Sequence, residues 1–263
     1  GLSAAGAAFQ GVFSNPLATP DTLGVASGAS FGAAFAMLTG SALLGTQAMA
    51  LVCGCAACLL TMLIAGRERS SVSSVILGGM AVSSVFQALV ALVKYVADPV
   101  DELPAITYWL MGSMSRASYR SLAVGLPFIA AGTLVIFFLR WRLDVISLSE
   151  DEAHSLGMNV RAMRTVYIVA SSLITASCVS MCGQVGWIGL LVPHISRMIG
   201  GSSGRSVIPL SVSLGAVFMI IMDTLARTMT AAEIPISILT ALIGAPMFIV
   251  LLRRSSQTKG GAA

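Results

Sequence analysis

Charge is what this 263-residue chain has least of. Asp, Glu, Lys and Arg make up 10% of it, where a soluble domain carries about a quarter. Too few polar side chains remain to cover a water-facing surface, which excludes an ordinary soluble fold. The chain is instead 56% hydrophobic, with a mean hydropathy of +0.91. Residues 122–139 and 234–252 contain no charged residue at all. A helix of roughly 18 residues is about 27 Å long, close to the ~30 Å hydrocarbon layer of a bilayer. Lipid is the solvent these runs require.

Ionisable groups are also missing from the interiors of the apolar runs. Lys94 and Asp223 fall near their ends, where side chains reach the interface. Ion-coupled carriers and proton pumps bind their driving ion on buried carboxylates or histidines, and large cargo suits a pathway without fixed charges. The absence points to energy entering from a cytoplasmic motor. An ion-coupled secondary transporter is the alternative; it would show inverted repeats and intramembrane ion ligands. Cys53, Cys55 and Cys58 have no His or acid nearby, so they read as reduced thiols packed between helices rather than a metal site. Residues 1–13 have neither an opening Met nor a basic start. They read as the tail of a helix whose beginning is absent.

What is present is a series of apolar runs divided by breakers. Eight complete spans are expected, at 24–40, 43–65, 75–97, 121–139, 165–182, 186–199, 206–226 and 234–252, after the short stretch at 1–13. The 186–199 run is short and contains Pro193, so a tilted or broken helix is expected there. Gly24, Gly28 and Gly32 recur every four residues, a stripe that lets a neighbouring backbone approach closely. Alternate loops collect eleven Lys and Arg, among them Arg67, Arg69, Arg140 and Arg142. The other loops hold four: Lys94, Arg116, Arg120 and Arg227. This bias puts the C-terminus in the cytoplasm. The net charge of +4 is a topology signal, not a nucleic-acid footprint.

The most informative loop spans 143–164. Ser149-Glu150-Asp151-Glu152 reads as a capping box, with acids placed where the helix dipole favours them. Gly157 is suited to end that helix in a left-handed cap. A two-turn helix is marginal unless it packs on something, so a partner protein is expected here.

Four motifs then agree. They are residues 15–29, beginning Asn15-Pro16-Leu17-Ala18; the loop at 148–157; Gly186-Trp187-Ile188-Gly189-Leu190 with Val192-Pro193-His194-Ile195-Ser196-Arg197; and 233–248, from Glu233-Ile234-Pro235 to Gly244-Ala245-Pro246. In this order they resemble the FecCD-type permeases of bacterial ABC importers, the family that includes the cobalamin permease. The resemblance covers essentially the whole chain. It implies an all-α, polytopic ten-helix bundle, present here as about eight spans plus a stub, in the bacterial cytoplasmic membrane. It implies one permease domain over 1–263 that imports an iron chelate, a ferric siderophore first, with haem, cobalamin or molybdate as other cargo. Implied partners are a second permease copy or paralogue, two ATP-binding subunits and an extracytoplasmic solute-binding protein. No cofactor would be bound directly, since ATP sits on the partner subunit, and the permease would not be an enzyme.

By resemblance, Ser149, Glu150, Asp151, Glu152, Ala153, Leu156 and Gly157 form the element that couples to the ATPase. Val72 and Ser73 fall at the cytoplasmic gate. Arg227 matches a position that meets the binding protein, although an ion pair with Asp223 is the plainer reading. The family's first helix and the start of its second are absent, Ser149 stands where Gly is frequent, and Trp187 replaces Phe. For His194, a helix-end hydrogen bond is expected rather than a metal.

Overall fold

A computed structural model describes residues 1–66, 72–115, 117–148 and 150–260. Among them are twelve α-helices: α1 (Leu2–Val12), α2 (Val25–Leu38), α3 (Leu43–Ala65), α4 (Val72–Val96), α5 (Glu102–Leu110), α6 (Tyr119–Leu139), α7 (Arg142–Ile146), α8 (Glu150–Ser155), α9 (Val160–Cys182), α10 (Ile188–Gly200), α11 (Gly204–Thr228) and α12 (Ile236–Gly260). The protein is an all-α, polytopic helical bundle. The eight expected spans fall on α2, α3, α4, α6, α9, α10, α11 and α12. Five of these, α3, α4, α6, α9 and α11, are long and apolar enough to cross a membrane. The other three have shorter apolar helices, Val25–Leu38, Ile188–Gly200 and Ile236–Val250. The 13 residues of α10 reach only about 20 Å at 1.5 Å each. Pro193 lies inside this helix without breaking it.

The bundle is organised around α9. In its most apolar stretch 61% of residues are buried, against 17% for α6, so α9 is the central post and α6 a peripheral one. Small side chains make this possible: Ser171 and Ser177 are fully enclosed, and Gly54 of α3 lies so close that a Cβ there would stand 2.8 Å from the Ala176 methyl. Close approach through small residues replaces the hydrophobic drive that lipid removes. The Tyr167 hydroxyl donates to the Leu139 carbonyl at 2.6 Å and ties α9 to the end of α6.

Residues 1–13 are not peripheral. Nine of the eleven residues of α1 are buried, against α9, α10 and α11. Gly6 lies against the Gly189 backbone with no room for a Cβ. Every position of the glycine stripe admits a neighbouring backbone, α3 at Gly28 and Gly32 and Ser83 of α4 at Gly24. A Cβ on Gly28 would stand 2.7 Å from the Cys53 carbonyl, and Gly32 is pressed equally hard against Met49 of α3. Gly24 also sits at φ +73°, ending a 3₁₀ turn over Pro20–Leu23. This connector also lies inside the bundle, where Thr61 of α3 donates to the Leu23 carbonyl at 3.0 Å.

The α5 helix has no counterpart among the expected elements. Asp98 Oδ1 accepts from the Val100 and Asp101 N–H groups at 2.8 and 2.9 Å, and Glu102 Oε2 accepts from the Asp98 N–H at 3.0 Å. These bonds start α5 in reciprocal fashion, as a capping box does. Ile106 and Trp109 then bury its inner face.

Candidate functional site

At one end of the bundle, α6 hands over to α7 and α8. The Arg140 guanidinium lies 4.1 Å over the Phe137 ring, and Leu143 and Ile146 anchor α7 in the core. Asp144 accepts from the Gly204 N–H at 2.6 Å and the Ser203 hydroxyl at 2.8 Å, fixing α7 to the start of α11. The expected short helix forms as α8. Ser149, the expected cap, lies outside the described residues, as do Arg67, Arg69 and Arg116 and the side chains of Val72, Glu150, Asp151 and His154. Ala153 is fully buried within the chain itself. Leu156, 67% exposed, is the apolar side chain that this element offers outward, and Glu152 is exposed beside it. Gly157 has φ +75° and, among the described residues, nothing within 4 Å of where a Cβ would be. Asn159 accepts from the Ala162 N–H at 3.0 Å and starts α9.

Val72 opens α4 and Ser73 is exposed in its first turn. Arg227, in the last turn of α11, donates from Nε to Asp223 Oδ2 at 3.0 Å, with nearly half its side chain exposed. The helix-end ion pair is therefore present. Among the described residues the His194 side chain makes no hydrogen bond: its ring lies edge-on to Phe248, centroids 5.7 Å apart, and its Nε2 has no partner. Trp187 meets the same Phe248 at 6.4 Å and packs on Gly244. The three rings join α10 to α12. Near the α8 end of α10, Arg197 donates to the Gln10 side-chain oxygen, and Gln10 Nε2 donates to the Gly189 carbonyl at 3.2 Å.

The opposite end is held by bonds between connectors. Gly112 and Gly183, at φ +74° and +72°, cross each other so tightly that a Cβ on either would strike backbone. The Ser113 hydroxyl donates to Glu233 Oε1 at 2.9 Å, the Ser113 N–H to the Cys182 carbonyl at 2.9 Å, and the Ser237 hydroxyl to the Met111 carbonyl at 2.6 Å. Beneath this knot lies a cavity of about 380 Å³ between α2, α9, α10 and α12. Asp21 and Thr19 from the 3₁₀ connector, Gln184, Trp187 and Ser237 contribute to its walls. Sequence reasoning missed it, because Asp21 falls between spans on paper and is carried inside by the fold.

Over residues 1–254 the chain matches the model of the FecCD transport family. It is 39% identical over 254 residues to the molybdate import system permease protein MolB of Haemophilus influenzae, covering 96% of this chain and 75% of that protein. To the Fe(3+) dicitrate transport system permease protein FecC of Escherichia coli it is 33% identical over 259 residues, covering 96% and 77%. A solved inward-facing conformation of a metal-chelate type ABC transporter superposes with a TM-score of 0.92 at 38% identity, covering 96% of this chain and 81% of that one. ATP hydrolysis in such importers belongs to separate subunits. The chain belongs to the FecCD transport family and is a multi-pass membrane permease component of an ABC-type importer.

Proposed function

We propose that this permease forms the translocation pathway for an iron chelate, a ferric siderophore first, with haem, cobalamin and molybdate as the competing cargos. The observation that carries the reading is the match along the chain to a permease for ferric dicitrate, within a family whose model covers residues 1–254. The chain acts as one transmembrane domain, paired with a second copy or a paralogue. Two ATP-binding subunits sit on the α8 end and a solute-binding protein on the α5 end. Leu156 and Glu152, exposed on the 143–164 loop, meet the ATPase. Val72 and Ser73 stand at the cytoplasmic gate. The C-terminus is cytoplasmic, as the Lys and Arg bias supports.

The test is uptake into proteoliposomes holding the complete transporter. Ferric siderophore should accumulate only with ATP on the ATPase side and binding protein on the other, and a protonophore should not matter. Accumulation that ignores ATP and collapses with the proton gradient would return the protein to the secondary carriers. Cysteines introduced at Ser256 and Asp101 should label from opposite sides; labelling from one side would overturn the orientation.

A further inference from the structure

The cavity beneath the α5 end contains a carboxylate that no neighbour neutralises. Asp21 is open to the cavity, and among the described residues its side chain has neither a hydrogen bond nor an ion pair. The cavity it faces lies along α9 rather than beyond its end. Thr175, on the cavity wall, is 15 residues along α9 from Val160 and seven from Cys182, or about 22 and 10 Å at 1.5 Å per residue. An ionisable group at that depth is expensive and marks a path for something that compensates it. The groups around it are polar and equally unengaged: the side chains of Thr19 and Gln184 make no hydrogen bond among the described residues and line the same space. Trp187 supplies an aromatic wall, its backbone at φ +66°. A cavity of about 380 Å³ falls in the range of small-ligand pockets. It encloses one arm of a chelate rather than the whole. On α12, Ser237 and Ala241 face the cavity while Ile238 and Leu242, one step round the helix, are exposed. The cavity thus lies beside an exposed α12 face.

We propose that Asp21, with Thr19, Gln184 and Trp187, forms a subsite in the translocation pathway that receives a cationic arm of the cargo, an ammonium or similar N–H-rich group. The carboxylate attracts the cation, Gln184 and Thr19 supply further oxygen acceptors, and the indole face accepts positive charge. An oxyanion has no matching partner here and is repelled by Asp21. This assignment rests on the importer function proposed above and narrows its cargo to chelates with a positively charged appendage.

Two measurements on the complete transporter test it. In the first, Gln184→Cys is labelled with a cationic and an anionic methanethiosulfonate reagent of similar size, subtracting the signal of the chain without the new cysteine. The cationic-to-anionic rate ratio should fall about tenfold when Asp21→Asn is added, the effect of one nearby charge in a partly enclosed site. Asp21→Glu should restore it, which separates loss of charge from misfolding. An unchanged ratio, or no labelling by either reagent, overturns the subsite. In the second, ATP-driven uptake of ferrioxamine B, which bears a free ammonium, is compared with its N-acetylated form. The unmodified chain should prefer the cationic chelate, and Asp21→Asn should erase the preference. Equal uptake of the two chelates by the unmodified chain overturns the cargo assignment. Absence of ATP-driven uptake of any chelate, with the labelling ratio intact, would fail the importer reading while leaving the cation subsite standing.

Discussion

The two ends of this bundle are built on opposite plans. At the α5 end, the connectors at 111–115, 183–187 and 233–237 satisfy one another through the Ser113–Glu233 and Ser237–Met111 bonds and the crossing of Gly112 over Gly183. At the α8 end, Leu156 is two-thirds exposed and, among the described residues, nothing stands where a Cβ on Gly157 would point. The first end is closed by the chain's own contacts. The second leaves the turn at 156–157 unpacked, which suits a surface met by another subunit. An importer needs this asymmetry, because force has to arrive at one end and cargo at the other.

Two glycines sharpen the contrast most. Gly183 and Gly157 have nearly the same left-handed backbone, at φ +72° and +75°, but only Gly183 is hemmed in by backbone atoms. Gly157→Ala should therefore cost only the conformational penalty, about 1–2 kcal/mol. Gly183→Ala adds a collision with the Trp109 carbonyl oxygen and should cost more than about 3 kcal/mol. Thermal unfolding in detergent, read by size-exclusion, should show Gly183→Ala as mostly aggregated and Gly157→Ala as a modest shift. Equal shifts would remove the claim that the α5 end is the rigid one.

The α8 end breaks in two distinguishable ways. Ala153 is buried inside the chain, whereas Leu156 faces out. Ala153→Arg should disrupt the loop and lose ATPase association together with some stability. Leu156→Asp should lose association while unfolding within about 0.5 kcal/mol of the parent, as exposed substitutions do. Co-purification with the ATP-binding subunit, alongside a melting curve, separates the two. Normal association of Leu156→Asp would move the docking surface elsewhere.

A smaller effect is expected from the Ser113–Glu233 bond. Glu233→Gln keeps the shape but weakens a charge-assisted acceptor worth roughly 1.5–3 kcal/mol. Partial exposure of Glu233 places the loss at the lower end. The variant should melt a few degrees lower and expose a cysteine placed at Ser115 more readily to reagents added on the α5 side. Unchanged accessibility would make the bond a bystander.

Much of this was legible in the residues. The runs that became α3, α4, α6, α9 and α11 are long and predominantly apolar, and length is what a bilayer demands. The 143–164 loop announced its helix through its acids and Gly157. The helix α5 was hidden because its start depends on Asp98 and Glu102 reaching each other's turn, a spacing of four rather than the usual three. Asp21 was hidden for another reason: local sequence says connector, and only tertiary packing brings the 3₁₀ turn to a cavity beside α9 and α12. The partner of His194 could not be read either, because Phe248 is 54 residues away in the chain.

The smallest expected effect concerns whether the α5 end, for all its internal bonding, also receives a partner. Arg227 already has one companion, Asp223 at 3.0 Å. That exposed i,i+4 pair is worth at most about 0.5 kcal/mol, so Arg227→Glu should barely change stability, although it sets two acids one turn apart. If Arg227 also faces acids on a binding protein, the substitution acts on encounter rather than on contact. Rim charges mainly steer association, and salt screens them over about 10 Å at 0.1 M. Arg227→Glu should then slow binding-protein association a few-fold at low ionic strength, flatten its salt dependence and converge with the parent in high salt. Stopped-flow association across a salt series reads all three. Identical rates and slopes would confine Arg227 to its ion pair and leave the α5 end sealed by the chain alone.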